Sequence, residues 1–155
     1  MKIADLFTAD HIFLNVAVSS REQLFAVLGE RAGELGLVDP RYCTKALHIR
    51  EELGSTGLGN GIAIPHARVE KLDRVMGLLA TLAKPIDFEA VDGEPVDLVM
   101  MLLMPEQSGG DQIKALSRIA RVARDERAVK ALRNAASVED VAAILAGVDE
   151  SSSPY

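Results

Sequence analysis

The sequence predicts a single α/β (α+β) domain in which a mixed β-sheet is covered by helices. Three observations carry this. The 155 residues match one domain and can bury a proper core. Two apolar runs, VMGLLATLA (Val75 to Ala83) and VDLVMMLLMP (Val96 to Pro105), are short, flanked by Pro and Gly, and read as buried strands. Segments with helical spacing stand both before and after them, an order that packs helices against a sheet within one domain.

The elements follow in order. HIFLNVAV, His11 to Val18, alternates and is β-branched, so a short early strand is expected. Ser20 caps a helix whose apolar positions are Leu24, Val27, Leu28, Ala32 and Leu35; Gln23 completes a capping box, and Gly36 ends the helix. Asp39-Pro40 opens a second helix, with Pro40 at its first position, that runs to about Leu53. A glycine-rich loop and the short apolar IAIPH precede the two strands. KPIDFEAVDGEPV between the strands reads as turns and a short edge segment. After Gly109-Gly110 come two or three helices. The first carries Ile113, Leu116, Ile119, Ala120 and Ala123, the second lies near Glu126 to Arg133, and the third starts at the cap Ser137 and reaches Leu145. Residues 1–147 are assigned to the domain and 148–155 to a disordered tail.

Composition sets the class. With 48% apolar and 26% charged residues, the chain resembles an ordinary soluble globular protein. No apolar run is long enough to cross a bilayer, and MKIADLF lacks the pattern of a signal peptide, so neither membrane insertion nor export is expected. The single Cys43 forms no internal disulfide, in keeping with a cytoplasmic location. A net charge of −6 argues against a nucleic-acid partner.

The chemistry concentrates in GSTGLGNGIAIPHAR, Gly54 to Arg68. A phosphate-binding P-loop needs Lys-Ser/Thr after its last glycine, and here Gly61 is followed by Ile62. The dinucleotide fingerprint needs a strand before its glycines and a helix after them; here a helix precedes them and an apolar segment follows. Two readings remain. One is a flexible turn. In the other, Gly57, Gly59 and Gly61 let backbone N–H groups approach an anion, with Ser55 and Thr56 adding hydroxyl donors. His66 ends the segment behind Pro65, and a neutral imidazole is a competent nucleophile. His11 and His48 are read as ordinary residues. No HxH or HxxxH spacing surrounds His66, so no metal and no cofactor is expected. Arg50, with Glu51 after it, closes the second helix. Arg50 either complements the helix dipole at a solvated end or holds a phosphate against the histidine through its planar fork. Lys114, Arg118, Arg121, Arg124, Arg127, Lys130 and Arg133 make one basic face if their segment stays helical, best read as solvated, with docking of an acidic partner as the minor reading.

REELGSTGLGNGIAIPH, Arg50 to His66, resembles the signature of the enzyme IIA proteins of the bacterial phosphotransferase system, fructose/mannitol class, through Arg50, Glu51, Thr56, Gly57, Gly59, Gly61, Pro65 and His66. PIDFEAVDGEPVDLVMMLLMPE and ALSRIARVARD resemble later parts of the same domain. The resemblance implies a three-layer α/β/α fold with the sheet between helices. It also implies a phosphoryl group accepted on His66 from a phosphorylated HPr-like carrier, with Arg50 beside it. The start IADLFTADHIFLNV, and a domain without a second one attached, look most like the nitrogen-regulatory branch, which implies regulatory protein targets. Two alternatives stay open: a stand-alone fructose or mannitol IIA serving a separate permease, and a binding module that is never phosphorylated. One departure stands out. The family places a second histidine early in the helix after the last long strand, where DQIKAL has Gln112. Gln112 is expected to reach the phosphoryl site without being able to titrate.

Overall fold

The computed structural model describes residues 2–36, 38–107 and 109–151. The sheet contains β1 (Ile12–Val16), β2 (Gly57–Gly59), β3 (Ile62–Ala63), β4 (His66–Val69), β5 (Met76–Ile86) and β6 (Val96–Pro105). Its order is β1-β5-β6-β3-β2, with β4 also paired to β6. β6 is central, antiparallel to β5 on one edge and parallel to β3 and β4 on the other. From Leu98 its residues alternate between two cores: Leu98, Met100, Leu102 and Met104 face one, and Val99, Met101 and Leu103 the other, which Val96 joins across a register shift in the β5 pairing. That double burial is why VDLVMMLLMP reads as a continuous apolar run.

Helices cover both faces. α2 (Arg21–Glu34) and α3 (Pro40–Glu52) lie on one; α1 (Ile3–Leu6), α4 (Gly110–Arg124), α5 (Glu126–Arg133) and α6 (Val138–Ser151) lie on the other. The caps act as the sequence predicts. Ser20 accepts the Gln23 N–H, Asp39 accepts those of Arg41 and Tyr42, and Ser137 accepts that of Asp140. The Gln23 side chain reaches back to Ser19 rather than to Ser20. Cys43 is buried beneath α3, where burial pushes its thiol up to about 12 and leaves it an inert core residue.

Several expectations are corrected. β1 stops at Val16, just after Asn15 adopts a φ of 55° and the pairing with β5 slips. β5 runs on to Ile86, and no separate edge strand follows it among the described residues. The basic residues fall on two helices, as expected: the segment breaks at Asp125, whose carboxylate caps α5 at Ala128, so the condition for one basic face is not met, and Arg133 pairs with Asp97 at 2.9 Å. The tail expected from residue 148 is helical through Ser151, while residues 152–155 lie outside the described residues. The reason is a tertiary cap. Asp149 accepts the N–H groups of Ile3 and Ala4 at 2.7 and 3.1 Å, and so ties α6 to the start of α1.

The glycine-rich loop is a hairpin. Asn60 and Gly61, at φ of 56° and 78°, form a two-residue turn between β2 and β3. Both central residues at positive φ match the right-handed strand twist, which is what Asn-Gly provides. β3 and β4 then act as one strand: their pairing with β6 keeps a single register from Ile62↔Leu98 to Val69↔Pro105, interrupted at Ile64, whose N–H goes to the Thr56 carbonyl, and Pro65, which has no N–H to give.

Candidate functional site

α3 delivers Arg50 in its last turn, and β4 begins at His66. The two elements pack side by side, so residues sixteen apart in sequence meet at 3.2 Å, where Arg50 Nε donates to His66 Nε2. A guanidinium has no lone pair to offer, so Nε2 is the unprotonated ring nitrogen. The ring proton sits on Nδ1, which donates to the Ile64 carbonyl at 2.9 Å. Arg50 is held in turn by the Gly54 carbonyl, 2.9 Å from Nη1. Burial, and secondarily the Arg50 charge, push the His66 pKa below its ordinary 6.5 against an opposing effect of the Ile64 carbonyl. The imidazole is therefore neutral at physiological pH, with its Nε2 electron pair accepting from Arg50.

His66 opens into a cleft of about 520 Å³ between α3 and α4. Arg50, Arg68 and Gln112 line it with His66, and none of the described residues lining it is acidic. Its edge is apolar and open to solvent: Ile49, Leu53 and Ile113 are 52%, 82% and 72% exposed. The site combines a half-buried neutral imidazole, fixed positive charge and an apolar rim.

The expected loop donors do not gather here. Thr56 is buried, giving its N–H and hydroxyl to Glu51 at 2.8 and 2.6 Å. Ser55 accepts the Gly57 N–H, and Asp92 accepts that of Asn60. A Cβ on Gly57 would lie 2.9 Å from the Ala90 backbone, so that glycine serves a close approach of chain to chain. Ser55, Thr56, Gly57, Gly59 and Gly61 are absent from the described residues lining the cleft. The Thr56 N–H and hydroxyl and the Gly57 and Asn60 N–H groups are thus engaged within the hairpin and its surroundings rather than at the cleft.

Gln112 lines the cleft, but both amide hydrogens are committed, to the Pro105 and Gln107 carbonyls at 2.9 Å each. It ties the β6–α4 connection and retains no free donor for a ligand. Sequence reasoning missed two residues. Arg68 had a signal, since in a strand it shares a face with His66 two positions away. Glu51 has a signal only through the Arg-Glu start of the signature; nothing in its helix-end position announces that it is 7% exposed. His11 is buried with Nδ1 on the Gly77 carbonyl at 2.8 Å, a structural bond, and His48 stacks edge-on against Phe25.

The family model for the phosphoenolpyruvate-dependent sugar phosphotransferase system, EIIA 2, matches residues 5–148. The chain belongs to this family. This EIIA chain is 43% identical over 146 residues to a nitrogen regulatory protein of Bradyrhizobium diazoefficiens, covering 94% of this chain and 95% of that one. It is 32% identical to the fructose-specific EIIABC component of Bacillus subtilis, covering 94% of this chain but 23% of that protein. Its fold superposes on the nitrogen regulatory protein IIA-Ntr of Neisseria meningitidis with a TM-score of 0.86, at 34% identity, covering 92% of this chain and 98% of that one. The α/β fold is thus that of an EIIA, and no helix among the described residues is long and apolar enough to cross a membrane.

Proposed function

We propose that this EIIA accepts a phosphoryl group on Nε2 of His66 from a phosphorylated HPr-like carrier, in the cytoplasm, and that its phosphorylation state regulates protein targets. The observation that carries this is the Arg50–His66 contact, which places the lone pair on Nε2 in a cleft whose described lining carries Arg50 and Arg68 and no carboxylate. In the reaction Nε2 attacks phosphorus in line as the phosphorus–nitrogen bond of the donor phosphohistidine breaks. The His66 proton stays on Nδ1 against Ile64, and a donor ring protonated on its other nitrogen leaves neutral, so no proton has to cross. Arg50 exchanges its contact with Nε2 for the incoming phosphoryl oxygens, and Arg68 adds a second positive charge. Ile49, Leu53 and Ile113 form the apolar rim on which the carrier docks.

The regulatory branch is favoured over a sugar-transport IIA by the greater identity to the nitrogen regulatory protein, 43% against 32% for the fructose component. The test is incubation with a phosphorylated HPr-type carrier followed by mass mapping. The expected result is one acid-labile phosphate per chain, on His66 and absent from His66→Ala. Label on His11 or His48, or no label at all, overturns the reading.

A further inference from the structure

The two ends of the Arg50–His66 contact are joined behind the cleft by a closed circuit of hydrogen bonds. Thr56 is its node. Glu51 takes the Thr56 N–H and hydroxyl, and the Thr56 carbonyl accepts the Ile64 N–H at 2.9 Å. The Ile64 carbonyl then takes the proton of His66 Nδ1. On the other side Arg50, the residue before Glu51, bonds the Gly54 carbonyl inside the same turn and donates to His66 Nε2. Arg21 steadies the buried carboxylate, with Nη1 3.8 Å from Glu51 and Nη2 3.1 Å from Glu89.

We propose that Glu51, acting through Thr56, is the positioning residue of this site: it holds the 51–56 turn so that the imidazole keeps its proton on Nδ1 and presents Nε2 to Arg50. The inference rests on His66 as phosphoacceptor. A carboxylate buried at the end of a helix is costly unless it is paired and hydrogen-bonded. Here its bonds lead directly to the carbonyl that selects the tautomer, the role that the partner of the non-reacting nitrogen plays for any working histidine. Thr56 touches neither the cleft nor the reacting atoms, so the effect passes through geometry. Displacements of about an ångström at a reacting centre cost on the order of a hundredfold in rate.

The experiment compares wild type with Thr56→Val, Thr56→Ser and Glu51→Gln, each checked for folding by circular dichroism. Imidazole nitrogen NMR, with no phosphoryl donor present, reports which His66 nitrogen carries the proton. Rapid-quench labelling with a phosphorylated HPr-type carrier gives kcat and KM. Thr56→Val and Glu51→Gln are expected to populate both tautomers and to lose roughly ten- to a hundredfold in kcat, with KM for the carrier unchanged. Thr56→Ser, which keeps the hydroxyl, is expected to restore the single tautomer and most of the rate. Folded Thr56→Val with the wild-type tautomer and kcat overturns the proposal, and this variant decides the matter if Glu51→Gln does not fold. The two readings fail separately. A wild-type protein that takes no label overturns the phosphoacceptor reading, while the nitrogen spectra still decide the positioning.

Discussion

At the scale of residues, Arg50 and His66 determine each other's state. Arg50 can only donate, so its contact fixes the lone pair on Nε2, and its charge helps hold the ring below its ordinary pKa of 6.5. Arg50→Ala is expected to slow phosphoryl acceptance by about one to two powers of ten, the equivalent of one charge-assisted contact of about 1.5–3 kcal/mol. Arg50→Lys should recover part of this, since an ammonium lacks the fork; a normal rate in Arg50→Ala would return Arg50 to a helix-end role. The pH dependence follows from the same pair. Protonation of Nε2 removes the nucleophile, so the rate should fall on the acid side with a midpoint below 6.5. Arg50→Ala removes a cation that disfavours the imidazolium, so its midpoint should move up towards 6.5; an unmoved midpoint in a pH–rate profile would separate Arg50 from the titration. Stability has a related sign. The unfolded ring takes its proton first, so stability is lost as pH falls through 6.5 and levels off below the folded value.

At the scale of elements, the site depends on how α3, β4 and α4 are tied down. Gly57 and Gly59 of β2 let the hairpin lie close to Ala90 and Asp92, and the register of β4 on β6 places His66 at the cleft. The β6–α4 connection is closed by Gln112, which satisfies two carbonyls from a buried position. Gln112→Ala leaves both without that donor and should cost about 1–3 kcal/mol, visible as a lower urea midpoint. An unchanged midpoint would mean that water replaces the amide at no cost. Gln112, the residue that departs from the resemblance, thus acts as a clamp on this connection.

At the scale of the whole molecule, the first and last helices hold each other. α1 has only four residues and no side-chain cap of its own from Lys2, so Asp149 supplies one from α6. Asp149→Ala should lower stability by about 0.5–2 kcal/mol, the range of an N-cap loss. Phosphoryl acceptance by the folded variant should remain at the wild-type rate, because Asp149 lies outside the cleft lining. A melting curve read beside a transfer assay checks both; a loss of transfer without a loss of stability would tie the clasp to the site.

The sequence by itself determined what is local and periodic. Caps at Ser20, Asp39 and Ser137, the doubly buried β6 and the helical stripes depend on neighbours a few residues away, and so did the Pro65-His66 end of the signature. Asn60-Gly61 also carried a hairpin signal, which the phosphate-loop reading of the same glycines obscured. Only tertiary structure decided the rest. Glu51 looks like any charged residue at a helix end until the turn folds Thr56 onto it, and Asp149 looks like tail until α6 brings it to the start of α1. The physical reason is that a polar side chain's role is set by the donor it meets, and here those donors arrive through chain reversals and packing that no local spacing encodes.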